Sequence, residues 1–345
     1  MGETMNILYI GANRGTSLHR YNALKRIGHN VLLVDPFTAL PDNKAINKWN
    51  YETGFLGTSK LVTNRVLKSV YCLSFDFCLI NGGHLIEPKL IRKLRKQCKY
   101  IANYNNDDPF SSAHWNKWRL YRRAIPEYDL LAIPRKKNIN ELYSLGANAV
   151  LRIFLGADET IHKRITLTPQ DFSTWSSDVS FVGTWMPERG PFISRLIHLG
   201  LPISIWGDNW HKANEWNTIK QSWRGPGIYT TDYIKPILAS KISIGLLSKG
   251  NRDLHTRRSV EIPALGSLLC AQRTSEHLNM YKEGKEAVFW SNADECSDIC
   301  KALLNQPDKR ESIARYGHIR CKTNNHFNEP MLSELILSTI TSHRY

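Results

Sequence analysis

The chain has 345 residues, 42% hydrophobic and 22% charged, and a net charge of +15. That length exceeds one ordinary domain and suits two, and the composition is that of a globular protein rather than a disordered or low-complexity one. No apolar run approaches the ~18 residues needed to cross a bilayer. The start, Met1 to Asn6, leads straight into an apolar run, lacks the features of a secretory leader and has Asn6 where a myristoylation signal needs Ser or Thr. The expectation is a cytosolic protein, with peripheral attachment to the inner membrane face as the other possibility. Seven cysteines form no CxxC pair and no zinc-spaced Cys/His cluster. Cys296 and Cys300 share a helix face, where packing is the ordinary explanation.

In chain order, Ile7–Ile10 reads as a buried strand and Gly11–Gly15 as a turn. A helix capped by Thr16 or Ser17 then runs to about Ile27, followed by a strand at Val31–Val34. Further strands are expected at Phe77–Ile80, Tyr100–Tyr104, Leu130–Ile133 and Val150–Phe154, with a helix at Pro88–Gln97. The polar segment Gly156–Ser177 has no periodicity and reads as a linker. The alternation then restarts with strands at Val179–Val182, Ile203–Trp206, Ile242–Leu246, Leu268–Ala271 and Ala287–Trp290. Helices are expected at Pro187–Leu199, Thr231–Ser240, Arg257–Ala264, Asp294–Leu304, Asp308–Tyr316 and Pro330–Thr341. Short apolar strands alternating with helices mean parallel, doubly wound α/β sheets. Two Rossmann-like domains are expected, 1–165 and 166–328, with 329–345 a helix packing back toward the first.

The densest cluster of functional residue types is His255-Thr-Arg257-Arg258-Ser-Val-Glu261-Ile-Pro-Ala-Leu-Gly266. Arg258 and Glu261 are three apart and share a helix face. A nucleoside diphosphate-sugar needs both groups: guanidinium forks for the diphosphate and a carboxylate for the ribose hydroxyls. Spacing alone fits a surface salt bridge better.

This cluster resembles the donor site of GT-B glycosyltransferases, and is most similar to the CgeB-like, spore-maturation-type group. Val179–Thr184 with Arg189, Ile203–Gly207, Ala239–Ile242, Tyr281–Trp290 and Asn305–Asp308 carry the resemblance across the C-terminal half. It implies a GT-B fold, two doubly wound domains facing a central cleft, with the donor in the second. It also implies that Gly183 and Thr184 approach the diphosphate, Arg189, Arg257 and Arg258 neutralise it, Trp206 and Gly207 border the base, and Glu261 holds the ribose. Asp253, eight before Glu261, stands where many retaining relatives have a sugar-contacting Glu. In the first half Asn105-Asn-Asp107-Asp108-Pro-Phe110 resembles the Asp-Asp-Pro-Phe segment of the same group. Strand-end carboxylates Asp107 or Asp108 are candidate general bases, equally readable as turn-forming aspartates before Pro. His84, at the end of Asn81-Gly-Gly-His84, is a second candidate. No DxD-type sequence appears among these residues, so neither a metal nor another cofactor is expected beyond the nucleotide-sugar co-substrate, with a UDP-sugar the expected donor.

The positive charge is unevenly shared. Residues 1–170 hold 25 Lys+Arg against 13 Asp+Glu, a net of +12, and the remainder 21 against 18, a net of +3. A polyanionic acceptor for the first half follows, against the plainer reading of a solvated basic surface. Asn13 and Arg14 in the first turn, and Lys117, Arg119, Arg122 and Arg123, are the expected acceptor contacts, with Trp118 and Tyr121 interleaved to stack on bases. Two acceptors compete: a hydroxylated base in DNA, as in the phage DNA β-glucosyltransferases that share this plan, which places the enzyme in a host cytoplasm, or a lipid-linked or surface glycan at an anionic membrane. Steep salt dependence marks the first and vesicle sedimentation the second. A non-catalytic nucleotide-sugar-binding protein is the alternative to an enzyme; no obligate protein partner is evident.

Overall fold

The structure, a computed structural model, describes residues 3–342. The chain divides into two compact units. The first takes residues up to Leu155, Gly250–Arg252 and the chain from Asn328 on; the second takes Gly156–Lys249 and Asp253–Phe327.

The first unit is built on six strands: β1 (Asn6–Ile10), β2 (Asn30–Val34), β3 (Phe75–Asn81), β4 (Cys98–Tyr104), β5 (Leu130–Ile133) and β6 (Val150–Arg152). They are all parallel, in the order β2-β1-β3-β4-β5-β6. The continuous apolar runs are explained by burial on both faces. Leu8, Ile10, Cys78, Ile80, Ile101, Leu131 and Ile133 belong to one core; Ile7, Tyr9, Phe77, Leu79, Ala102 and Ala132 belong to the other. The helix Asn328–Ser342 completes that second core with Met331, Leu332, Leu335 and Ile336, and Glu329 pairs with Arg26 at 2.5 Å.

The second unit repeats the plan with β7 (Ser177–Val182), β8 (Ile203–Trp206), β9 (Trp223–Gly225), β10 (Ser240–Gly245), β11 (Leu269–Gln272) and β12 (Val288–Trp290). The order is β12-β11-β10-β7-β8-β9, again all parallel. Strand order reverses between β7 and β10, the place where such a sheet opens a crevice beyond its carboxyl ends.

Several expectations need correction. The helix Gly15–Arg26 starts after Arg14 without a side-chain cap, ahead of Thr16. The helix after β3 stops at Leu94. The presumed linker contains a helix, Pro169–Trp175, closed by a Thr168/Asp171 capping box; Asp at the third position does for Thr168 what Glu usually does. The expected helix Thr231–Ser240 is a 3-10 turn, Thr230–Ile234, and one helical turn, Lys235–Leu238, before Ser240 enters β10. The helix expected at Asp308–Tyr316 runs from Pro307 to Asn324. Helices Lys44–Thr53, Ser59–Ser69 and Ser275–Met280, and strand β9, have no counterpart among the expected elements.

Candidate functional site

In the second unit the donor-site candidates gather at the β7/β10 reversal. Gly183 follows β7 and Gly207 follows β8. A Cβ on Gly207, whose φ is +157°, would overlap the Gly183 carbonyl oxygen, so these strand ends approach as closely as two glycines allow. The Gly183 carbonyl also accepts from Trp210 Nε1 at 3.0 Å. Thr184 is exposed beside it. Arg189, 8% exposed, donates to Thr184 O at 2.7 Å, Leu246 O at 3.3 Å and Leu247 O at 3.2 Å. Its guanidinium therefore ties the ends of β7 and β10 together. Burial, then the charge of Arg258, lowers its pKa to about 10.

The helix Arg258–Ala264 lies at the same reversal. Arg258 donates from Nε and Nη2 to Val182 O, the last residue of β7, at 3.2 and 3.1 Å. The Arg257 carbonyl accepts from the Val260 and Glu261 N–H groups at 2.9 and 2.8 Å, and its guanidinium has no hydrogen bond or ion pair among the described residues. Glu261 is 2% exposed. Burial opposes its ionisation, but His162, Arg258, Arg257 and the Tyr233 hydroxyl outweigh it and hold the pKa at about 2. His162 has its own pKa lowered by burial, so at neutral pH the guanidiniums and the hydroxyl keep Glu261 charged. Tyr233 Oη donates to Glu261 Oε2 at 2.5 Å and His162 Nε2 faces Oε1 at 3.5 Å. Behind the helix, Ser259 Oγ meets His277 Nε2 at 2.7 Å, and Tyr281 Oη donates to Ser259 O at 2.8 Å. Trp206 is buried, its ring centroid 5.9 Å from that of Trp175. Asp253 donates its N–H to Ser248 O at 3.2 Å.

In the first unit Asp108 is fully buried and ion-paired with Arg252, which also holds Glu141 at 2.8 Å. Burial would raise the Asp108 pKa, but Arg252, the Phe110 N–H and Asn138 outweigh it and lower it. A carboxylate so held is a weak proton acceptor. Asp107 is 40% exposed, with Lys117 Nζ at 3.9 Å. His84, half-buried, is wedged among Phe37, Phe55 and Trp118; desolvation and Lys117 lower its pKa to about 3, so it is a neutral ring at pH 7. Asn13 and Arg14 are exposed beyond β1, Asn13 N–H bonded to Asp35 at 2.8 Å and Arg14 lying 5.6 Å from the Phe37 ring centroid. Arg122 donates to Pro109 O at 2.8 Å and stacks on Trp115 at 3.5 Å. Arg119 reaches Gly54 O at 3.5 Å, and Arg123 is exposed. Trp118 and Tyr121, expected to stack on bases, are 1% and 0% exposed and belong to the core. The amphipathic spacing fits both roles, and packing wins.

Sequence reasoning missed Tyr233, His162 and Arg252. His162 lay in the segment read as linker, and Tyr233 and Arg252 belong to no pattern. The one thiol group able to ligate a metal is Cys270, Cys296 and Cys300, with sulfur atoms within 4.8 Å of one another in the second unit's core, among the described residues.

The two six-stranded parallel sheets with their flanking helices are those of the GT-B fold. Residues 189–336 match the family model described as Glycosyl transferase-like, a span that includes Arg189, Arg257, Arg258 and Glu261. HepE from Anabaena, solved with UDP-glucose, superposes with a TM-score of 0.68 at 11% identity, covering 98% of this chain and 100% of that one. Sucrose-phosphate synthase from Thermosynechococcus elongatus gives 0.69 at 10% identity, covering 98% of each chain. A glycosyltransferase from Rickettsia africae gives 0.64 at 13%, covering 99% of each. At these identities the likeness is one of fold. No curated protein matches the chain. No helix among the described residues is long and apolar enough to cross a membrane.

Proposed function

We propose that the chain is a glycosyltransferase of the CgeB-like kind that takes a sugar from a nucleoside diphosphate-sugar, a UDP-sugar first, held by its second unit. The observation that carries this reading is a buried carboxylate, Glu261, one helical turn from Arg257 and Arg258 at the strand-order reversal of a Rossmann-like sheet. That is the charge pattern a ribose and a diphosphate require. The UDP-glucose complex of HepE supports the choice of donor. Arg257, whose guanidinium has no hydrogen bond or ion pair among the described residues, neutralises the diphosphate, and Arg258 assists from the end of β7. Arg189 holds the strand ends that frame the site.

In the transfer, the bond between the anomeric carbon and the diphosphate oxygen breaks, and a bond to the acceptor oxygen forms. The nucleoside diphosphate leaves with the electron pair, its growing charge stabilised by guanidiniums, so no metal is needed. The acceptor hydroxyl's proton goes to a carboxylate, and Asp107 suits this better than the guanidinium-bound Asp108. The acceptor is polyanionic, a hydroxylated DNA base or a glycan at an anionic membrane. The charge of the first 170 residues supports either, whereas the buried Trp118 and Tyr121 give no support to base stacking by those rings.

Turnover of a nucleotide-sugar panel, followed as nucleoside diphosphate release, tests the reading. UDP-sugars are expected to turn over in EDTA as fast as without it, and Asp107→Asn to slow transfer at least ~100-fold while leaving donor binding intact. Donor binding without release for any acceptor tried would favour a binding protein instead.

A further inference from the structure

One side chain covers both groups that the proposed donor site needs. The Tyr233 hydroxyl donates to Glu261 Oε2 at 2.5 Å, and the Tyr233 ring centroid lies 5.3 Å from the Arg258 guanidinium carbon. The other Glu261 oxygen faces His162 Nε2. With Glu261 only 2% exposed, a ligand hydroxyl reaches the carboxylate only if one of these neighbours yields.

How each neighbour is held decides which. His162 Nδ1 accepts the Asp158 N–H at 2.7 Å, which leaves the proton of the neutral ring on Nε2, toward Glu261. Asp158 is itself bonded to the Thr160 N–H, the Thr160 hydroxyl and the Ile161 N–H at 3.0, 2.7 and 3.1 Å. His162 thus belongs to a turn held by several hydrogen bonds, in which Asp158 and His162 themselves are buried. Tyr233 sits on the 3-10 turn Thr230–Ile234, whose first three residues are exposed. That turn begins with Thr230 in the left-handed region at φ +58°, a conformation with little intrinsic preference for Thr. Tyr233 is the neighbour that yields.

We propose that the Tyr233 hydroxyl stands in the place of a pentose hydroxyl and sets the threshold for entry, admitting ribonucleoside diphosphates and rejecting their 2′-deoxy counterparts. The inference rests on the donor reading of Glu261. A ligand that displaces Tyr233 gives up one charge-assisted hydrogen bond at the carboxylate. A ribose diol supplies two in exchange, whereas a 2′-deoxyribose supplies one and gains nothing there.

Titration calorimetry of the full chain with UDP and 2′-deoxy-UDP tests this on the parent and on Tyr233→Phe, whose melting temperature confirms that it folds. Without the hydroxyl to displace, the variant is expected to bind both ligands about tenfold tighter, and the parent to bind the deoxy ligand at least tenfold more weakly than UDP. Unchanged or weaker UDP binding by the folded variant overturns the proposal, because the hydroxyl then supports the ligand or ignores it. So does a UDP complex in which Tyr233 still donates to Glu261. A parent that binds neither ligand removes the donor reading and this inference with it.

Discussion

At the scale of single residues, the side chains that look chemical in the sequence divide by how they are satisfied. Glu261 and Asp108 are buried and His84 is half-buried, and each stands in a different electrostatic state. Glu261 is charged beside two guanidiniums, Asp108 is charged within an ion pair, and His84 is neutral among aromatic rings. Spacing in the sequence places Arg258 and Glu261 on one face but says nothing of Tyr233 or His162, which come from other elements. The state of His84 is measurable. Its folded pKa of about 3 lies below the 6.5 of an unfolded histidine, so the unfolded chain binds the extra proton first. The stability from the neutral ring is whole above pH 6.5 and is lost as pH falls from there toward 3. At pH 5 the loss is about 2 kcal/mol. Melting temperatures of the parent and His84→Leu at pH 7 and pH 5 check it: the parent is expected to fall further than the variant, and equal falls would refute a neutral His84.

At the scale of elements, the apolar strands were legible because a parallel sheet covered on both faces leaves uninterrupted runs such as Leu130–Ile133 and Ile203–Trp206, which the structure reproduces at the same bounds. Ends set by caps were less so. The Thr168/Asp171 box was passed over because the helix it opens has no buried residue and therefore no apolar stripe. Strand order was illegible, since no residue in β7 or β10 announces its neighbour. Yet that order makes Gly183 and Gly207 adjacent and brings Arg189 and Arg258 to the ends of both strands. The closeness of the two glycines gives a prediction at this scale. Gly207→Ala forces a methyl group against the Gly183 carbonyl, and the backbone shift should cost ~1–3 kcal/mol. Urea unfolding of the variant checks this; a midpoint equal to the parent's would mean that β7 and β8 end farther apart than described.

For the molecule as a whole, two Rossmann-like units were legible from the restart of the strand–helix alternation near Val179, and the structure gives each six parallel strands. The path of the chain between units was not legible: Gly250–Arg252 groups with the first unit although its neighbours on both sides group with the second. Arg252, paired with Asp108 and Glu141, accounts for that excursion together with Ser111 on the Gly250 carbonyl and Arg135 on the Asn251 carbonyl, and no periodicity signals it. The charge imbalance is a whole-molecule property that sequence gives outright, and it constrains the partner's sign without naming its chemistry. The donor reading is more specific, because it requires particular groups at one place in one unit. Its most direct measurement is the binding of UDP to the parent, Arg258→Ala and Glu261→Ala by titration calorimetry, each variant first shown to be folded. The account predicts that each substitution weakens binding at least ~10-fold, as expected for lost hydrogen bonds to charged groups. Folded variants that hold UDP as tightly as the parent would contradict it.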